Sequence, residues 1–364
     1  MSGLHTPLCD HLGIRLPIIQ APMAGGPTTP ELVAAVSAAG ALGSYGFAYT
    51  QPETIQRESE AVRARTGAPF NLNFFASPQP DSIAPGAQRG AIDAVSGYYA
   101  ELGLPPPEPA RAPYAPDLDA QFAIAEEIRP AVLTFHLGVM HPERVRRFQS
   151  LGVKVGGGAT CVAEAEKLEA LGVDFIIAQG AEAGGHRGTY LRDPYDSMTG
   201  TFALVRLIVR RVRTPVVAAG GIMDGAGIAA ALALGAQLAQ LGTAFIPCPE
   251  SGAPQIHKDL LLKATEDSTQ LTEKFSGKPA RGLSNRFMTE MAAKNAPQLA
   301  FPAQNAVTGR LRQGSAKAGK GDFVAMWAGQ AAPLARALPA AELIRILNEE
   351  AISAIRATAS FLKG

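Results

Sequence analysis

A (β/α)8 barrel carrying a proline-rich insertion and a helical C-terminal extension is the fold this sequence predicts. Short apolar, β-like runs alternate with helix-like segments from residue 17 to about 245. About eight such units are countable, the number a (β/α)8 barrel requires. After Pro247 the alternation gives way to helical segments with glycine-rich breaks. An open doubly wound sheet uses the same alternation, but it rarely strings together this many units without interruption.

The first β-like run is Pro17-Ile18-Ile19-Gln20-Ala21-Pro22-Met23. Pro30 then opens an alanine-rich helix that Gly40 stops, matching the preference for proline at a helix start and glycine past its end. Residues 41–47 form the second strand, 52–65 a charged helix, and 70–75 the third strand. A proline-rich stretch at about 77–117 interrupts the pattern; Tyr98, Tyr99 and Tyr114 within it favour a packed insertion over disorder. The alternation resumes with helix 120–128, strand 131–136, helix 142–151, strand 154–158, helix 161–171 and strand 174–179. Helix 202–212, strand 215–221, helix 225–234 and strand 236–243 complete it. The expected division is a barrel at 15–246 and a helical region at 247–364 packing over the barrel mouth. The amphipathic helix 339–362 is long enough to roof that mouth.

Composition narrows the function classes. The chain has 364 residues, 47% apolar and 18% charged, enough to bury a large core. A net charge of +1 leaves no electrostatic footprint for nucleic acid or an anionic membrane. No run approaches ~18 uninterrupted apolar residues, so no transmembrane span is expected. The first fourteen residues lack the apolar core of a signal peptide. Cys9, Cys161 and Cys248 are widely spaced and form no zinc or redox motif. Together these predict a cytoplasmic protein with free thiols and no metal.

In a (β/α)8 barrel the chemistry sits at the C-terminal strand ends. Those ends carry Gln20 to Met23, Asn73, His136, Gln179, Gly220-Gly221 and Gln240-Leu241-Gly242-Thr243. Asn71 and Asn73 share a strand face, and a buried amide must find partners: the edge of a flavin or another heterocycle, or neighbouring loop backbone. Gly220-Gly221 and Gly242-Thr243, after the last two strands, have the spacing of a barrel phosphate site. Asp224 reads as the cap of the next helix. No GxGxxG follows a strand into a helix, so a Rossmann site is not predicted. The loop 178–188 (Ala-Gln-Gly-Ala-Glu-Ala-Gly-Gly-His-Arg-Gly) brings His186 and Arg187 to the strand ends, with Glu182 as a residue that holds the loop. Trp327 reads either as core or as a lid contact.

The run Pro17 to Gly26, the Asn71/Asn73 strand, the loop Ala178 to Gly188, Ala219 to Ile222 and Gln240 to Thr243, in this order, resemble the nitronate monooxygenases. The likeness continues in 281–287 and 301–305, and loop 182–188 with Thr134-Phe135-His136 resembles the class I branch. The resemblance implies an FMN-dependent barrel that uses O2 to denitrify alkyl nitronates, with propionate 3-nitronate the expected substrate and detoxification the expected role. It implies Met23, Asn73, Gln179, Gly184, Gly220, Gly221, Gln240, Leu241, Gly242 and Thr243 as cofactor contacts and His186 as the catalytic residue. His136 and Arg187 would face substrate. His186 is then first an electrostatic partner for the nitro group, and a base only where substrate arrives protonated. The expected partners are a small nitronate and O2, with no nucleic acid or membrane, in a monomer or homodimer. An FMN-dependent NAD(P)H enoyl-thioester or quinone reductase on the same barrel is the alternative.

Overall fold

The computed structural model describes residues 3–362. Eight parallel strands form the centre: β1 (Ile18–Gln20), β2 (Gly43–Gly46), β3 (Phe70–Phe75), β4 (Val132–His136), β5 (Lys154–Ala159), β6 (Phe175–Gln179), β7 (Val216–Ala219) and β8 (Leu238–Leu241). Each pairs with its neighbours in chain order, and β8 pairs with β1. A parallel bridge between Ile19 and Leu42 joins β1 to β2 and closes the barrel. The (β/α)8 fold predicted from the alternation is the fold observed.

The outer helices are α2 (Pro30–Ala38), α3 (Pro52–Arg63), α5 (Leu118–Ile128), α6 (Pro142–Ser150), α7 (Val162–Leu171), α8 (Thr201–Val209) and α9 (Gly225–Ala233), while α1 (Pro7–Leu12) precedes the barrel. Local signals set their starts. Thr29 accepts from Leu32 N–H at 3.1 Å and Asp224 from Gly227 N–H at 2.8 Å, each satisfying an otherwise orphaned amide. Apolar residues on the inward faces of these helices bury against the strands in one continuous core.

The helix that completes the ring comes from the far end of the chain. Helix α13 (Ala340–Ala359) lies against α9 and α2 on the barrel wall. This corrects the expectation that it roofs the mouth: its stripe Ala340, Leu343, Ile344, Leu347 and Ala351 joins the same core as Leu32 and Ile228. Gly225 permits the contact, since a Cβ there would lie 2.3 Å from the Ala351 nitrogen. Glu350 also accepts from Gly225 N–H at 3.0 Å, capping α9 from α13.

A second core stands apart from the barrel. It unites α4 (Pro85–Glu101), inside the insertion, with α11 (Arg286–Ala293) and α12 (Ala303–Lys317) of the C-terminal region. Val95, Phe287 and Leu311, one from each helix, are buried in it. Two polar ties add direction to that apolar contact: Tyr99 Oη donates to Val307 O at 2.7 Å, and Tyr98 Oη donates to Glu290 at 2.9 Å. A division at residue 246/247 therefore separates neither unit: the cap draws on both sides of it, and so does the barrel. Between α10 (Gln255–Leu261) and α11, β9 (Thr269–Thr272) and β10 (Ala280–Leu283) form an antiparallel pair. No helix among the described residues is long and apolar enough to cross a membrane.

Candidate functional site

The site forms around the loop after β6. Residues Gly185–His186 pair antiparallel with β10, Ala280 opposite His186, so a distant strand fixes the loop. Gln179 braces it from below: its Nε2 donates to His186 O at 3.0 Å and its Oε1 accepts from Gly188 N–H at 2.8 Å. The Gln179 side chain, expected at the cofactor edge, is thus committed to loop backbone. Glu182 does hold the loop, accepting from Thr201 N–H and Oγ at 2.8–2.9 Å at the start of α8.

Arg187 requires a correction. Its Nε, Nη1 and Nη2 donate to the carbonyls of Ser197, Gln179 and Thr160, and it is 4% exposed. All three nitrogens serve backbone, because a buried guanidinium must spend its donors on acceptors within reach. The residue anchors the loop in place of binding substrate. Beside it, the fully buried Glu164 accepts from Thr160 N–H and Oγ, Thr189 Oγ, Tyr190 N–H and Leu191 N–H at 2.6–3.1 Å. Glu164 carries no distinguishing signal in the sequence, since an acidic residue in the first turn of a helix, as here in α7, is common on surfaces. Behind the loop only about 10 Å³ remains, between Gln179, His186, Arg187 and Leu271.

His186 sits in an aromatic nest. Phe301, Trp327 and Phe75 have ring centroids 5.4, 5.7 and 5.9 Å from its own. Trp327 is therefore a wall of the site, held by an antiparallel bridge to Gly282. His186 Nε2 lies 2.9 Å from Ser276 Oγ, whose hydroxyl donates to Lys278 O at 3.1 Å. That assigns the imidazole proton to Nε2 and leaves the Nδ1 lone pair free. Burial, with Lys278 and Arg312 adding positive charge, pushes the His186 pKa down to about 3. The imidazole is therefore neutral at physiological pH in the unliganded site.

His136 and Asn73 form a second unit. Asn73 Nδ2 donates to Thr134 O at 3.1 Å and Oγ1 at 2.9 Å, and lies 2.8 Å from His136 Nδ1. A carbonyl only accepts, so this contact fixes the amide orientation and makes His136 Nδ1 an acceptor. The Asn73 nitrogen is thereby spent on β4, leaving its Oδ1 for any other partner. Asn71 donates to the same Thr134 hydroxyl at 2.9 Å. Gly158 makes room for His136, since a Cβ there would come within 2.5 Å of the ring. Burial lowers the His136 pKa to about 4, so it too is neutral and carries its proton on Nε2.

The ends of β7 and β8 present open donors. Gly220 and Gly221 have φ of 112° and 71°, in the left-handed region that favours glycine. No acceptor among the described residues is bonded to the N–H of Gly220, Gly221, Gly242 or Thr243. Thr243 Oγ1 accepts from Gly329 N–H at 3.0 Å, leaving its hydroxyl proton free. Gln240 Oε1 is buried without a partner, whereas Leu241 is a core residue whose carbonyl accepts from Ala21 N–H at 2.8 Å. Gly184 crosses the tail closely, since a Cβ would lie 2.6 Å from Ala328 C. Met23, partly buried, is fixed by Thr28 through bonds of 2.9 Å at its N–H and carbonyl. No group of three or more His, Cys, Asp or Glu that could hold a metal occurs among the described residues.

The comparisons with known proteins agree with this architecture. The nitronate monooxygenase family model matches residues 5–350. The nitronate monooxygenase of Pseudomonas aeruginosa is 44% identical over 342 residues, covering 93% of this chain and 97% of its own. That of Paraburkholderia phytofirmans is 43% identical, with 93% of each chain covered. The solved nitroalkane oxidase from Streptomyces ansochromogenes superposes with a TM-score of 0.89 at 40% identity, covering 96% of this chain and 99% of its own. FabK from Thermotoga maritima superposes with a TM-score of 0.75 at 28% identity, covering 99% and 100%.

Proposed function

This chain belongs to the nitronate monooxygenase family, and from that premise we propose that it is an FMN-dependent enzyme oxidising alkyl nitronates with O2. The products are a carbonyl compound and nitrite or nitrate, propionate 3-nitronate is the proposed substrate, and detoxification the proposed role. One observation carries this: a neutral imidazole with a free lone pair accompanies strand ends where four backbone amides and the buried Gln240 amide oxygen lack partners among the described residues.

Those orphaned groups fit FMN. The N–H groups of Gly220, Gly221, Gly242 and Thr243 suit a phosphate, and Gln240 Oε1 suits a ring N–H donor. Asn73 Oδ1 is a further acceptor, with Met23 and Gly184 as walls. When bound, FMN supplies the route for electrons from nitronate to O2.

The chain's own residues orient the substrate and manage its proton. Phe75, Phe301 and Trp327 exclude water from the space beside His186. His136 offers an N–H at Nε2, suited to a nitro oxygen, from a ring clamped by Asn73. His186 presents the Nδ1 lone pair, the unprotonated form a base needs, and would accept the α-proton of a neutral nitroalkane. An anion seated beside it raises its pKa and favours protonation at Nδ1, and only that imidazolium form would donate a hydrogen bond to a nitronate oxygen.

Spectroscopy with oxygen uptake tests the proposal. Purified protein is expected to be yellow, to consume O2 with propionate 3-nitronate, and to keep its flavin oxidised under anaerobic NADH. Rapid bleaching by NADH with no uptake on nitronates would replace this reading with the reductase.

A further inference from the structure

We infer that Arg312, Asn305 and Tyr49 form a subsite for a carboxylate at the far end of the substrate, selecting nitronates with an anionic tail over neutral ones. This rests on the nitronate function proposed above and assigns the residues that discriminate among nitronates.

The three groups come from separate parts of the chain, Tyr49 after β2 and the other two on α12. Each has a buried atom without a hydrogen-bond partner: Arg312 Nε, Asn305 Nδ2 and Tyr49 Oη. Asn305 stands close enough to favour the Tyr49 phenolate slightly against burial, yet no well-formed bond joins the two. All three atoms carry a proton to donate, and of the three only Tyr49 Oη can also accept. What is missing is an acceptor, and a carboxylate supplies two oxygens that only accept. Buried donors do not ordinarily stay unpaired, because each forfeits its solvation without recovering a bond.

The charge points the same way. Arg312 forms no ion pair among the described residues, and Nη2 donates only to Asn305, at 3.1 Å to Oδ1. Tyrosines 49 and 99 are the groups whose charge it would feel most, and burial keeps both phenols protonated. A guanidinium with a buried Nε is ordinarily paired, and among the described residues no carboxylate pairs with this one.

The position suits the tail of a small molecule held at His186. Tyr49 packs against Phe75 and Phe301 with centroids 5.9 and 6.4 Å away, and these two rings flank His186 on the other side. Arg312 is near enough to His186 to depress its basicity. Phe75 and Phe301 thus touch both places, and the two share one aromatic wall.

Two matched substrates test this, propionate 3-nitronate and propyl 1-nitronate, which carries a methyl group in place of the carboxylate. In the holoenzyme, Arg312→Met should lower the ratio of kcat/KM for the charged over the neutral substrate by at least about thirtyfold, mainly through KM, as expected when one partner of a buried charge pair is truncated. Tyr49→Phe should lower the same ratio by about threefold to tenfold, one neutral hydrogen bond. A ratio that changes less than threefold in both variants overturns the subsite, as does equal loss on both substrates. Should Arg312→Met not fold, Tyr49→Phe and Asn305→Ala decide by the same ratio. Calorimetric titration of wild-type holoenzyme gives an independent readout: succinate should bind at least about tenfold tighter than butyrate, and equal binding rejects the subsite. If wild-type enzyme oxidises neither nitronate, the proposed function fails, and the succinate–butyrate comparison still decides the subsite.

Discussion

The two flanks of His186 are built on opposite terms. On the β6 side, Gln179, Glu182, Glu164 and Arg187 spend their polar atoms on loop backbone and on Thr160, Thr189 and Thr201. On the cap side, Tyr49, Asn305 and Arg312 keep buried donors unpaired. Both flanks bear charge, so charge alone does not mark a binding residue; spare hydrogen-bonding capacity does. The closed flank fixes where His186 points, and the open flank leaves room for something the chain does not supply.

The closed flank should break hardest. Glu164 is fully buried and takes protons from three backbone amides and two hydroxyls. Glu164→Ala should destabilise the protein by about 3–5 kcal/mol in urea unfolding, because several buried donors lose their acceptor at once. A loss under about 1 kcal/mol would mean that water or loop rearrangement satisfies those donors, and the contrast between the flanks would fail.

His186 lies where the flanks meet, and its substitution separates holding from proton removal. His186→Asn should reduce oxidation of neutral nitroalkanes about a hundredfold more than oxidation of preformed nitronates, within the range general bases contribute. Equal losses in oxygen uptake on both substrate forms would remove the base role.

What was legible in the sequence follows from range. Alternating apolar runs and glycine-ended helices are local signals, and they carried the barrel, its order and the glycine pairs after β7 and β8. The position of α13 was not legible, because an amphipathic stripe states that one face is buried and not against what. Arg187 was misassigned for a related reason: a basic residue beside a glycine-rich loop looks the same whether it faces substrate or three carbonyls. Ser276, Phe301 and Trp327 meet His186 from about ninety residues or more away, and no local pattern ties them to it. The left-handed pair Gly220-Gly221, in contrast, announced itself by composition alone.

The smallest effect concerns protons. His136 and His257 are held down to about 4 and His186 to about 3, in each case chiefly by burial. In the unfolded chain each returns to about 6.5. Below that value the unfolded state binds protons the folded state refuses, so stability from neutral burial is complete above about pH 6.5 and is lost as pH falls toward 4. Each histidine adds at most about 1.4 kcal/mol per pH unit to that slope. Chemical denaturation from pH 7 to 5 should show it, and His257→Gln should flatten it by up to one proton. The open flank makes a sharper demand. An anion bound beside His186 raises its folded pKa, so saturating succinate should reduce proton uptake on unfolding by up to one proton in wild-type enzyme, and by less in Arg312→Met. An identical slope with and without succinate would show that the open flank does not communicate with the imidazole.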